Sequence, residues 1–296
     1  MRKHTLGRTG LQVTELGYGG GQLRGPRIWQ GRPVSDELAE RILNAVLDAG
    51  INFIDTANVY GRSEELIGRF ISRRRDEFYI ATKCGCQLVD AGDHDETPRN
   101  WTRQHLTHSI DESLQRLRTD HVDLLQLHNP TVEALEQYEL VRVLADARQA
   151  GKTRFIGVSA TLPHLPHFLK LGVFDTFQIP YSALEREHEA WISRVTEASA
   201  GTIIRGGVAK GALSKPDTPG WKAWSRDRLD DLLDGMDRMA FMLRFTLTHP
   251  DAHTTIIATL NPDHLMANLK AVQDGPLPHG MYEEAKRRLS AVGAQP

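Results

Sequence analysis

Short apolar runs alternate with longer stretches of helical spacing along most of the chain. Runs of strand length fall at 16–20, 51–54, 78–82, 122–127, 155–158, 174–179, 202–204 and 255–257. The stretches between them predict helices. Ser35 stands where a side-chain cap would start a helix over 36–49, and Gly50 stops it. Ser63 is placed to cap 64–74, Thr102 or Trp101 opens a helix to Arg118, and 131–150 ends at Gly151. Further helices are expected near 162–171, 185–198, 237–248, 263–272 and 281–292. Eight strand-then-helix units predict an α/β fold, a closed (β/α)8 TIM barrel, as one domain over 1–296. The leading segment 4–13, with Gly7 and Gly10, reads as an N-terminal β-hairpin. Segment 214–235 interrupts the seventh unit as an inserted loop with a short helix at 226–233. An open doubly wound sheet is the rival, and eight even runs without a dinucleotide fingerprint count against it.

Composition narrows the classes of function. The chain of 296 residues is 40% hydrophobic and 25% charged, an ordinary mixture for a soluble globular domain. Lysine plus arginine number 36 against 38 acidic residues, a net charge of -2, which gives no bulk attraction to nucleic acid or an anionic membrane. No apolar run approaches a membrane span, and the basic N-terminus lacks the apolar core of a signal peptide. Cys84 and Cys86 are the only cysteines, too close for an unstrained disulfide and too few for a zinc site. A cytoplasmic protein without a metal centre is the expectation, with the two cysteines as small residues at a strand end.

Three lookalike motifs fail. Gly17-Tyr-Gly-Gly-Gly-Gln has Gln22 where a dinucleotide loop needs its third glycine. Gly151-Lys152-Thr153 has Asp146 where a phosphate loop needs its first glycine. Tyr79 and Lys83 have a spacing used for catalysis on helices, but on a strand they stand roughly 13 Å apart.

In such a barrel the site lies at the carboxyl ends of the strands. The second run ends on Asp55 with Tyr60 following, the third on Lys83 and the fourth on His128. The fifth ends on Ser159, the sixth carries Gln178, and the seventh ends on Arg205 before Gly206 and Gly207. Any one of these alone reads as a solvated tip or a packing group. Four ionisable groups on one rim point to chemistry. A phenol has an ordinary pKa near 10, and a neighbouring ammonium favours its ionised form. A carboxylate holds that ammonium charged and oriented. Such a phenol can protonate a carbonyl oxygen while a histidine N–H holds it. The hydride itself must come from a cofactor, because no side chain donates one.

These residues carry a resemblance to the aldo-keto reductases that covers nearly the whole chain. It is read from LGRTGLQVTELGYGG, GINFIDTANVYG, YIATKCG, SLQRLRTDHVDLLQLHNP, GKTRFIGVSA, FQIPYS, LRFTLTHP and TTIIATLNPDHLMANL. The resemblance implies Tyr60 as proton donor, Lys83 and Asp55 as its tuning pair, and His128 as orienter of the carbonyl. It implies a nicotinamide cofactor across the barrel mouth, with Ser159 and Gln178 at its carboxamide and Arg205 where many members stack an aromatic ring. It places Gly206, Gly207 and Val208 at the pyrophosphate, and Thr259, His264 and Asn268 at the adenosine end.

Departures from the family pattern bear on the cofactor and the substrate. Ala160 follows Ser159 where the family often has Asn. Ala258 and Leu260 stand where a basic residue usually meets the 2′-phosphate, with His264 and Lys270 the nearest basic groups. NADPH is the first expectation, with NADH open. Trp29, Trp221 and Trp224 either line the mouth or anchor loops. The expected substrate is a small-molecule carbonyl: an aldehyde, a small ketone, or a keto- or deoxysugar. Two other readings stay open, a cofactor-binding regulatory subunit of a larger complex and a sugar-modifying enzyme without net redox. The sequence specifies neither oligomeric state nor direction in the cell.

Overall fold

In the computed structural model the described residues are 1–214 and 218–290. The end of the expected last helix, 291–292, and positions 215–217 of the insert lie outside them. Twelve strands are described. Strands β1 (Lys3–Thr5) and β2 (Gln12–Thr14) form the N-terminal hairpin, antiparallel, with His4 opposite Val13. The barrel follows as β3 (Leu16–Gly19), β4 (Phe53–Asp55) and β5 (Tyr79–Cys84). A small hairpin, β6 (Val89–Asp90) and β7 (Asp95–Glu96), interrupts it. It resumes with β8 (Val122–His128), β9 (Thr153–Ser159), β10 (Thr176–Pro180), β11 (Gly201–Arg205) and β12 (Thr254–Ile257). These eight strands close on themselves, β12 pairing with β3, and every barrel pairing is parallel. The expected (β/α)8 barrel is the observed fold.

Side-chain alternation with a period of two divides the barrel residues. Ile54, Ile80, Leu125 and Ile204 join the apolar layer shared with the outer helices. Phe53, Ala81, Leu124 and Ile203 point the other way and pack with Leu6, Leu11 and Val13 of the hairpin segment. The hairpin therefore floors the barrel with apolar side chains. Two residues further along the same strands, on the same face, stand Asp55, Lys83, Gln126 and Arg205. The interior is apolar below and polar above.

The helices follow their expected caps with instructive exceptions. Ser35 caps Asp36–Asp48, accepting from the Leu38 N–H, and Thr102 and Thr131 act likewise. The helix expected over 64–74 instead runs Ser63–Phe70 and gives way to a 3-10 segment, Ser72–Glu77. Ion pairs explain the break. Arg74 reaches back to Asp48 at 2.8 Å, while Arg75 turns inward to Asp123 at 2.7 Å. Ser63 lies inside the helix as a buried partner of Thr56 rather than as its cap. The expected 131–150 helix splits into Val132–Gln137 and Leu140–Gln149, with Glu139 at φ 48°. On one continuous helix Leu135 and Leu140 would sit roughly 140° apart, and the break lets both reach the core. In the insert the expected short helix at 226–233 is a 3-10 turn, Leu229–Leu232, and an α-helix not expected there, Pro219–Arg226, precedes it, capped by Thr218 with Pro219 suited to its first turn. No helix among the described residues is long and apolar enough to cross a membrane.

Candidate active site

Register places the first acid and its cation. Asp55 lies opposite Ala81, so Lys83 extends two residues beyond it on the neighbouring strand. The Lys83 ammonium reaches back to Asp55 Oδ2 at 2.5 Å and to the Thr56 carbonyl at 2.8 Å. Asp55 Oδ1 accepts from Gln178 Nε2 at 2.8 Å and Gln126 Nε2 at 3.1 Å. These side chains are at most 2% exposed. A buried ion pair persists only when its remaining hydrogen-bonding capacity is met, and here both carboxylate oxygens are bound.

The loop after β4 returns Tyr60 over this pair. Thr56 N–H bonds the Ala81 carbonyl at 2.8 Å, Asn58 N–H the Lys83 carbonyl at 3.3 Å, and Tyr60 N–H the Ala57 carbonyl at 3.0 Å. The chain thus tracks β5 for several residues and then turns. The Lys83 ammonium lies 5.2 Å from the Tyr60 ring centroid. Other buried acids have plainly structural partners: Glu64 binds Thr82 and Arg116, and Asp123 binds Arg75 and Arg154. Asp55 differs because its cation faces a phenol.

His128 closes the group from the end of β8. Its ring meets Tyr60 edge-on at 6.0 Å between centroids, and Trp29 meets Tyr60 from elsewhere at 5.9 Å. Burial, reinforced by the positive charges of Lys83, Arg99 and Arg205, holds the imidazole pKa well below its ordinary value. His128 is therefore neutral near pH 7 and carries one N–H. Trp29 is 53% exposed beside the phenol and lines the mouth. Trp224 instead anchors the insert, fully buried, edge-on to Phe241 at 5.5 Å and bonded to Asp230. Trp221 lies under Arg238, 4.4 Å from its guanidinium.

The expected cofactor residues fall into two groups. Ser159 stands opposite His128 in the sheet, and its hydroxyl donates to Asn129 Oδ1 at 3.1 Å. Gln178 is adjacent to Ser159, with its amide nitrogen committed to Asp55. Arg205 ends β11, and its buried Nε has no hydrogen-bond partner. Burial lowers its pKa, opposed by Tyr60, Glu185 and Asp55. Gly206 adopts φ +75°, and a Cβ on Gly207 would come within 2.6 Å of Thr255. Val208 follows, half-buried. Beyond β12, Thr259 is buried and accepts from the Tyr18 hydroxyl at 2.9 Å through its carbonyl. His264 and Asn268 lie one turn apart on the helix Pro262–Gln273, which Asn261 caps. This second group makes no contact with Asp55, Lys83, Tyr60 or His128 among the bonds of the described residues. An orphaned guanidinium nitrogen above a bare glycine backbone fits an extended polar ligand laid across the strand tips.

Four contributors escaped the sequence reading. Gln126 is fully buried and braces Asp55; its signal was a polar residue inside an apolar run, two positions before His128. Asn129 adopts φ 53° and pairs with Ser159, giving an amide near the place where Ala160 supplies none. Cys86 and Arg99 meet beside His128, and no local pattern pairs residues brought together by the turn after β5.

The family model described as Aldo/keto reductase family matches residues 15–287. An uncharacterized oxidoreductase of Bacillus subtilis, YqkF, is 27% identical over 92% of this chain and 91% of its own length. The 6-dehydroglucose reductase of Novosphingobium aromaticivorans is 29% identical over 90% of this chain and 89% of its own. Among solved structures, an aldo-keto reductase from Bacillus halodurans in its holo form superposes with a TM-score of 0.85 at 26% identity, covering 97% and 96% of the two chains.

Proposed function

The chain belongs to the aldo/keto reductase family, and on that premise we propose that it reduces an aldehyde or ketone to an alcohol with a nicotinamide cofactor. The observation that carries the reading is the Lys83 ammonium, 2.5 Å from Asp55 and 5.2 Å from the Tyr60 ring, which His128 meets edge-on.

The cofactor, when bound, supplies the hydride. The chain supplies the rest. Tyr60 gives its phenolic proton to the carbonyl oxygen. Lys83 faces the charge left on the phenol, and Asp55 keeps Lys83 oriented. Neutral His128 donates one N–H to the same oxygen and fixes its direction. General acid catalysis of this kind is worth about 10²–10⁴ in rate.

Ser159, Asn129 and the free Oε1 of Gln178 are the groups for the carboxamide. Arg205 takes the nicotinamide side, Gly206, Gly207 and Val208 the pyrophosphate, and Thr259, His264 and Asn268 the adenosine side. NADPH stands ahead of NADH by a small margin, since a histidine is a weaker phosphate partner than an arginine. The substrate class is a small aldehyde or ketone or a keto- or deoxysugar. The similarity to a 6-dehydroglucose reductase and the exposed indole of Trp29 beside Tyr60 support including sugars.

The test is cofactor titration by fluorescence, followed by a panel of aldehydes, ketones and sugars. Binding and turnover are expected, with Tyr60→Phe abolishing turnover and keeping the cofactor dissociation constant. Absence of binding to both NADPH and NADH would end this reading. Equal loss of binding and turnover in Tyr60→Phe would make Tyr60 structural.

A further inference from the structure

We propose that Cys86 is a positioning residue: its thiol donates to Nδ1 of His128 and so places the single imidazole hydrogen on Nε2. The inference rests on the reading of His128 as the group that holds the carbonyl oxygen.

The geometry begins with the turn after β5. Gly85 adopts φ +107° against the face of Trp101, where a Cβ would collide with the ring. Cys86 then pairs with Arg99 as an isolated antiparallel bridge. Its carbonyl accepts from Asn58 Nδ2 at 2.8 Å and lies 3.0 Å from His105 Nε2. A cysteine backbone held from three sides delivers its sulfur to a fixed place. That place is 3.5 Å from His128 Nδ1, and Cys86 is 2% exposed.

The direction of the bond follows from the partners. A neutral imidazole has one donor and one acceptor nitrogen, and the hydrogen bond at one ring nitrogen decides which is which. The Arg99 guanidinium also contacts the sulfur and can only donate. Arg99 therefore occupies a sulfur lone pair. A sulfur already receiving that donor is poised to give its one hydrogen to Nδ1, which accepts it. Burial raises the Cys86 thiol pKa despite Arg99 and Lys83, and burial lowers that of His128. The pair is thus thiol and neutral imidazole rather than thiolate and imidazolium. No bond to Nε2 is found among the described residues, which leaves its hydrogen for a ligand.

This differs from the small-residue role expected of the two cysteines. Cys84 fits that role. It is buried, its thiol pKa is pushed up to about 12, and among the described residues its sulfur bonds the Gln126 carbonyl alone, at 3.7 Å. Cys86 touches the reactive group.

The test labels the full-length chain with 15N-histidine and reads the ring nitrogens of His128, assigned by their loss in His128→Gln. The wild-type ring is expected as the Nε2–H form. Cys86→Ala should give mixed tautomers and lower kcat by about three- to tenfold, the scale of one hydrogen bond, with cofactor affinity unchanged. Cys86→Ser should restore both. A wild-type ring in the Nδ1–H form, or an unaltered Nε2–H form in Cys86→Ala, would overturn the proposal. The spectrum needs no turnover. An Nε2–H ring in a protein that reduces no carbonyl would therefore defeat the functional reading and leave the tautomer assignment standing.

Discussion

Lys83 and Asp55 form an ion pair of 2.5 Å in which neither side chain is more than 2% exposed. Charges removed so completely from water repay their desolvation only through each other and through added hydrogen bonds. Here those bonds come from Thr56, Gln126 and Gln178. Four strands and a loop thus converge on a single ion pair, whose ammonium faces Tyr60.

Asp55→Asn keeps the shape and removes the charge. Lys83 would stay buried without a counter-ion, so the variant should lose about 3–5 kcal/mol of stability in denaturant unfolding. Its kcat should fall by about 100-fold, since the phenol loses an oriented cation. A stable variant with unimpaired turnover would mean that Asp55 neither holds nor tunes the group.

Trp29→Ala removes the exposed ring 5.9 Å from Tyr60. An aromatic contact of this type is worth about 0.5–1.5 kcal/mol. The substrate KM should rise by about two- to tenfold with kcat nearly constant. A fall in kcat alone would mean that the indole positions the phenol rather than the substrate.

Acid stability depends on His128. Its folded pKa lies below the ordinary histidine value of about 6.5, so the unfolded chain binds the extra proton first. The stabilising difference is complete above that value and is lost as pH falls from about 6.5 toward the folded pKa. His188, His249 and His253 are lowered by burial in the same direction and share the loss. Unfolding midpoints measured from pH 7.5 to 5 should decline. His128→Gln should flatten that decline in part, and an unchanged slope would contradict a buried neutral imidazole.

Ala258 is exposed immediately after β12, where the family resemblance implies a residue that meets the 2′-phosphate. Dissociation constants for NADPH and NADH should differ by less than about tenfold, or 1.4 kcal/mol. Ala258→Arg should shift that ratio toward NADPH by about tenfold, as a guanidinium binds phosphate in a bidentate fork. No shift would place the adenosine phosphate elsewhere.

Legibility in the sequence followed the range of each interaction. Alternating runs and helix punctuation revealed the barrel because each is local, and Asp55, Lys83 and His128 stood out as ionisable groups that end apolar runs. The failures came from contacts between distant segments. Arg74 and Arg75 break the expected 64–74 helix by pairing with Asp48 and Asp123. Glu139 splits the expected 131–150 helix so that Leu135 and Leu140 both reach the core. Cys86 and Arg99 converge on His128 only once the turn after β5 has formed. Gln126 was visible as a polar residue in an apolar run, but its partner lay 71 positions away.

The hairpin floor has a kinetic corollary. Leu6, Leu11 and Val13 pack against Phe53, Ala81, Leu124 and Ile203 and seal the lower end of the barrel. An apolar layer is a poor path for a proton, so on the proposed reaction the phenol would be recharged from the mouth, the side on which product leaves, and product departure and proton replenishment would share one queue.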